Sequence, residues 1–322
     1  SNPELFHRKP YDRPGCDSYI IAARHMNRQP LTGTALKSGK KRTGILVTGM
    51  HRSGTSATAR VLSLLGASLP ANLMPANPEV NAKGFWESTD IATLNDELLL
   101  QLGSRWDDVI PVEPDAPRKT KENFEEVARQ LLQRDFSSAP LFVLKDPRIS
   151  RLLPYWLQVF GKLDIAPLVV ILVRHPLEVA SSLRKRDHFN KKKSIYLWLR
   201  HLIDAERASR NIPRVFISYD ALLEDWERAL EPLTALLDGG WPTPPGKARK
   251  QIAAFLDDQL RHHRQTTFRV DADDPVAQAA KVLFDRISSH APDVPALIDS
   301  IHTGLAPSER MLAPITRDLS VR

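Results

Sequence analysis

Apolar residues follow two rhythms along this chain. Short, nearly unbroken runs of Val, Ile, Leu and Phe occur at 45–47, 141–144 and 168–173, and a fourth β-prone segment lies at 214–219. Runs of this length predict strands, and the one at 168–173, bounded by Pro167 and Pro176, reads as a strand covered on both faces. Between these runs the apolar positions spread to helical spacing. Helices are predicted at 55–66, stopping near Gly66, and at 88–102, where Ser88 caps and Leu94, Leu98 and Leu102 share a face. Further helices are predicted at 118–135, 148–162, 176–189 with Pro176 in the first turn, and 193–210. Beyond the last strand the pattern gives helices at 221–237, 245–260, 275–289 and 293–303. Strands alternating with helices predict an α/β fold with a mainly parallel central sheet flanked by helices. Residues 1–42 are basic and contain proline without any period, so they read as an arm or linker before a domain at 43–305. Residues 306–322 read as a frayed C-terminal tail.

Composition narrows the class. With 42% hydrophobic and 26% charged residues over 322 positions, the chain has ample sequence for one large core. Cys16 is the single cysteine, which excludes an internal disulfide and a cysteine zinc cluster and makes a reducing cytoplasm the expected compartment. The longest apolar run, 166–173, is too short to span a bilayer, and no secretory apolar region stands near the N-terminus. No transmembrane segment is expected. A formal net charge of +7 suits an anionic cofactor and an acidic acceptor. Neither an RNP pattern, zinc-finger spacing nor a basic zipper is present, so nucleic acid is not expected as a partner. No metal is expected either, because no convincing ligand cluster occurs.

The chemistry concentrates at three strand ends. After 45–47 the chain reads Gly49, Met50, His51, Arg52, Ser53, Gly54, Thr55, Ser56 and opens a helix. Glycines permit a tight turn with exposed amides, a helix N-terminus adds partial positive charge, and the hydroxyls of Thr55 and Ser56 complete an anion site. A nucleotide-hydrolase loop of the GxxxxGK[ST] type would have lysine where Thr55 stands. The cation has moved inside the loop to Arg52, which suits one phosphate bearing a further acidic group better than a β,γ-triphosphate. The second strand end is Arg174, followed by Ser182 about two turns into the next helix. The third is Lys145, followed by Asp146, which can cap a helix begun by Pro147. In a parallel sheet Lys145 would lie beside the first loop.

These motifs resemble the sulfotransferases that use 3'-phosphoadenosine-5'-phosphosulfate (PAPS) and release 3',5'-ADP. The likeness runs over about 44–264, and its loop wording and the GFWES segment at 84–88 look most like bacterial, carbohydrate-modifying members. The resemblance implies a P-loop-like three-layer fold and a phosphosulfate held by His51, Arg52, Ser53, Gly54, Thr55, Ser56 and Lys145. It implies a 3'-phosphate held by Arg174 and Ser182, with Tyr219 near the adenine. Arg261 and Arg264 would replace the late basic loop of the family, whose glycine-lysine pattern is not visible here. The implied acceptor is a hydroxyl on a glycan or cell-surface saccharide, and the N-terminal arm is compatible with a larger polypeptide or assembly. Lys145 and Arg52 would stabilise the departing phosphate, and Glu87 is the candidate base with His51 as its rival. For Glu87 the alternative is a first-turn carboxylate on a helix dipole; for Tyr219 it is a strand-to-helix cap. Asp107 and Asp108 are either acceptor ligands or a turn beside Trp106. The basic run at 184–193 is either an acceptor approach or a solvated face. An atypical nucleotide kinase, with Asp146 on a metal, and a non-catalytic nucleotide or sulfated-polymer binding module are the other classes.

Overall fold

The computed structural model describes residues 41–78, 81, 83–112, 116–256 and 273–320, with side chains described as far as 314. Strands β1 (Thr43–Thr48), β2 (Leu141–Lys145), β3 (Ala166–Val173) and β4 (Arg214–Ser218) form one all-parallel sheet in the order β2-β1-β3-β4. Strand side chains alternate between faces, and here both faces are apolar. Ile45, Val47, Val143, Leu168, Val170 and Leu172 point into one buried cluster, whereas Leu46, Leu144, Val169, Ile171 and Val173 point into the other. This explains why the runs read as continuous rather than alternating: neither face meets water.

Helices cover both faces, giving three layers. Helix α1 (Thr55–Leu64) packs on the Val47 face, while α2 (Thr89–Gln101), α3 (Arg118–Phe136), α4 (Ile149–Lys162), α5 (Pro176–Asp187) and α6 (Lys191–Ala208) cover the Leu46 face. The short helices α7 (Tyr219–Glu224), α8 (Trp226–Ala235) and α9 (Pro245–Phe255) return to the α1 side, and α10 (Pro275–Ser288) and α11 (Val294–Ser320) join α6 on the other. The chain thus leaves β1 toward one face, whereas it leaves β2 and β3, the neighbours of β1, toward the opposite face. Loops diverging in this way open a crevice at the carboxyl edge, where ligands bind in open α/β sheets. Val47 lies in register with Lys145 and Val170, so the three predicted strand-end motifs share that edge.

Three expectations change. The helix expected at 221–237 is broken by Asp225, whose backbone is extended (φ −149°) and whose carboxylate accepts from the Arg228 amide at 3.1 Å to cap α8. Asp146 does not cap a helix beginning at Pro147; it accepts from the Arg148 amide at 2.9 Å in a turn, and α4 starts at Ile149. The final helix does not stop at 303 but runs to Ser320. Within the stretch read as a tail, Glu309 is buried and meets Arg200 and Tyr196 of α6, each at 3.0 Å. A buried charge with two partners holds this helix in place. No helix among the described residues is long and apolar enough to cross a membrane.

The sheet tolerates little added volume at Gly44, where a Cβ would lie 2.5 Å from the Phe160 ring and 2.6 Å from that of Phe142. Gly44→Ala should therefore lower stability by about 1–3 kcal/mol through overpacking. Urea unfolding should show a lower midpoint at an unchanged slope; an unchanged midpoint would mean that the two rings move aside freely.

Candidate active site

The loop between β1 and α1 is fixed by backbone rather than by side-chain bulk. Gly49 takes φ +129°, and a Cβ there would come 2.8 Å from the Leu172 carbonyl oxygen. Gly54 takes φ +93°, and its Cβ would fall 2.1 Å from the Tyr219 ring. Arg52, between them, is left-handed without being glycine (φ +71°), a strained placement of the kind found where a side chain must be aimed. Ser150 of α4 clamps the loop start by accepting from the Gly49 amide at 2.9 Å and donating to its carbonyl at 3.3 Å. Helix α1 then begins at Thr55, after Gly54 in the cap position, with neither a side-chain cap nor an acidic residue in its first turn. Most helices satisfy those first amides with a Ser, Thr, Asp or Asn side chain. Here no side chain does so, and the Ser53 hydroxyl beside them is buried without a partner among the described residues.

Residues from distant motifs meet at this loop. Arg52 Nε donates to Ser182 Oγ at 2.7 Å, across 130 positions. Arg174 donates to the Arg52 carbonyl at 3.2 Å and to the Glu178 carboxylate at 2.9 Å, and its guanidinium lies 4.7 Å from the centre of the Tyr219 ring. The strand end bearing Arg174 is held by the Trp198 indole, which donates to the Arg174 carbonyl at 3.0 Å. Burial, then Arg186 and Arg174, lower the pKa of Arg52. These cations repel one another, and an anion between them would relieve that repulsion.

Lys145 occupies the other side of the loop. Its ammonium donates to Ser56 Oγ and to the Phe85 carbonyl, both at 3.1 Å, and forms a buried ion pair with Glu87. The GFWES turn brings Glu87 there through Gly84 (φ +94°) and Trp86 (φ +57°), and its backbone is tied by the Met74 amide donating to the Glu87 carbonyl at 2.7 Å. Glu87 precedes Ser88, the cap of α2, so it is not the first-turn carboxylate that the sequence also allowed. Burial pushes the Glu87 carboxyl up, and the Lys145 charge opposes that shift.

His51 is buried against the Trp106 ring, centroid to centroid 4.3 Å, and its Nε2 has no partner among the described residues. Burial first, then Arg186, Arg148, His201 and Lys145, keep its pKa well below the ordinary 6.5, so it is neutral at physiological pH. Asp108 accepts from the Ile110 amide at 3.0 Å, as a turn residue would, while Asp107 pairs with Lys193 at 2.8 Å. Asp146 is spent inside the protein on Arg148 and Asn95. Arg261 and Arg264 lie outside the described residues, as does Cys16. The sequence reading missed Glu178, which its i+4 spacing from Arg174 could have indicated, and His201, for which no local pattern exists.

Two outcomes follow from this electrostatic arrangement. Lys145→Met strands a buried carboxylate and should cost about 3–5 kcal/mol, much of it recovered when Glu87→Met is added; a double variant no better than the single one in chemical denaturation would refute the pairing. His201 is pushed down to about 3 by burial and by Arg151. A depressed pKa means that the unfolded chain binds a proton that the folded chain excludes. The stabilisation is complete above the ordinary 6.5 and is lost as pH falls toward 3. Between pH 7.5 and 5 (values of about one unit to either side of the transition), His201→Gln should lose less Tm than the wild type.

Comparison with known proteins bears on the identity of this site. No curated protein matches the chain. Among solved structures it is similar to the sulfotransferase domain from the Synechococcus PCC 7002 olefin synthase, at 16% identity over 76% of this chain and 96% of that one, with a TM-score of 0.40. It is also similar to the sulfotransferase domain from the curacin biosynthetic pathway, at 15% identity over 77% of this chain and 99% of that one, with the same TM-score of 0.40. The family model described as "Sulfotransferase family" matches residues 44–243. That span holds all of the sheet but its first residue, Thr43, and every candidate residue except Arg261 and Arg264, and with it the chain belongs to the sulfotransferase family.

Proposed function

We propose that this chain transfers a sulfuryl group from PAPS to a hydroxyl of a saccharide acceptor, in a reducing cytoplasm. The observation that carries the reading is the meeting of Arg52, Arg174, Ser182 and Tyr219 over the uncapped start of α1. PAPS has two anionic ends, and the residues fit both. The amides and hydroxyls at 53–56, with Arg52, suit the phosphosulfate; Arg174 and Ser182 suit the 3'-phosphate; Tyr219, stacked under Arg174, supplies an aromatic face toward the base. When bound, PAPS supplies the activated sulfuryl group.

The chain's own residues supply positioning and charge. Lys145, held against Ser56 at 3.1 Å, lies where negative charge grows as the sulfuryl group departs from phosphate, and Glu87 fixes its ammonium there. Arg52 shares that load from the opposite side of the loop. The acceptor hydroxyl must lose a proton; Glu87 and His51, both buried beside the loop, are the groups placed to take it. A kinase reading asks for a carboxylate free to bind a metal after a strand, and Asp146 is instead bonded to Arg148 and Asn95.

Calorimetry without magnesium tests the cofactor site directly. The protein should bind 3',5'-ADP with a Kd on the order of micromolar and 5'-AMP about 10-fold more weakly or worse, because a charge-assisted contact contributes about 1.5–3 kcal/mol. Arg174→Ala should erase most of that difference. Equal binding of the two nucleotides, or binding of neither, would refute the PAPS reading.

A further inference from the structure

His51 and His201 share one buried region behind the loop, and each leaves Nε2 without a partner among the described residues. Their rings meet edge to face, with centroids 6.2 Å apart at 78°. The tautomer of His201 is determined by its other nitrogen. Nδ1 lies 2.9 Å from the Leu197 carbonyl, and a carbonyl can only accept, so Nδ1 carries the proton and Nε2 is a bare lone pair. Both rings are neutral. Arg151, Arg200 and Arg148 face His201, while Arg186, Arg148, Lys145 and His201 face His51, and burial adds to their effect. A buried lone pair without a donor is costly, and the unpartnered nitrogen of His51 faces the same problem. The centroid separation is too long for a direct N–H···N bond and suits one bridging water.

We propose that His201 is a positioning residue for His51: through one buried water its Nε2 accepts from His51 Nε2–H, which leaves His51 Nδ1 as the free lone pair that serves as the base. This inference rests on the sulfuryl-transfer reading and deepens it. In the step it assigns, the acceptor oxygen forms a bond to sulfur and the bond from sulfur to the 5'-phosphate oxygen breaks. That electron pair leaves on the phosphate, and the hydroxyl proton moves to His51 Nδ1. Trp106, packed on His51 at a tilt of 50° with ring centroids 4.3 Å apart, restrains the ring. Glu87 then serves Lys145 rather than the acceptor.

Nitrogen-15 NMR of the histidine rings tests the arrangement without PAPS. In the wild type His51 should report the Nε2–H tautomer. His201→Asn retains a donor for the Leu197 carbonyl but removes the acceptor on the Nε2 side, and it should move His51 toward a mixture of tautomers; His201→Phe should do the same. In both variants kcat should fall about 10- to 100-fold, within the range of general-base contributions, while acceptor KM and 3',5'-ADP affinity stay within about twofold of wild type. His201→Gln, which restores an oxygen near the lost nitrogen, should recover most of kcat relative to His201→Phe. An unchanged His51 tautomer in His201→Asn overturns the proposal, as does a loss of 3',5'-ADP binding that parallels the loss of kcat. A wild-type protein that moves no sulfuryl group from PAPS would sink the proposed function alone, and the tautomer measurement would still decide the His201–His51 relation. If His201→Phe does not fold, His201→Asn carries the test.

Discussion

Cations crowd the carboxyl edge of this sheet, and the carboxylates placed beside them allow the fold to keep them there. Lys145 has Glu87, Arg174 has Glu178 and Arg186 has Asp187, while Arg52 is steadied by the hydroxyl of Ser182. Each carboxylate is close enough to neutralise much of its partner's field locally. Buried pairs of this kind contribute little to stability compared with apolar packing. Their effect is geometric. They fix where the positive heads point, and a site that stabilises developing negative charge needs that orientation before the reaction begins. Helix α1 contributes in the same sense, because its N-terminus, which no side chain caps, adds partial positive charge.

The strand ends and the first loop were legible in the sequence because their physics is local. A short apolar run, a glycine with positive φ and a hydroxyl-rich helix start all lie within about a dozen residues, and the structure gives Thr43–Thr48 followed by a helix from Thr55. The cap at Ser88 was legible for the same reason, and its hydroxyl accepts from the Ile91 amide as that pattern requires. Contacts across long sequence separations were not legible. Nothing near Lys145 indicates that its partner is Glu87, 58 positions earlier, nor does anything near His51 point to His201. Asp146 was misread for a related reason. An aspartate before a proline fits a helix cap, but the buried guanidinium of Arg148 and the amide of Asn95 recruit it instead. The break at Asp225 shows the converse, a local side-chain cap dividing what hydrophobic spacing alone had joined.

The site also has a polar wall behind the loop between β1 and α1. Arg151 of α4 donates to the carbonyls of Arg105 and Asp108, at 2.9 and 2.7 Å, and also to that of Ile110. These bonds fasten the turn that carries Trp106, the residue packed against His51. Arg151 is itself bonded to Asp204 at 3.3 Å, and Asp204 also holds Arg200 at 2.6 Å. A continuous polar seam therefore runs from α6 through α4 to the ring of His51, in a region otherwise filled by aromatic and aliphatic side chains. The region is buried, so each of these bonds acts in a low-dielectric setting where misplacement is expensive.

The seam ends at Glu309, which reaches Arg200 across 109 positions. During synthesis the sheet, the loop and Tyr219 have all left the ribosome well before that glutamate is made. Until then Arg200 has Asp204 but lacks one of the two carboxylates that surround it in the finished protein. A nascent chain can thus assemble its strands in order, yet α6 cannot settle into its final electrostatic environment until the last helix has been translated.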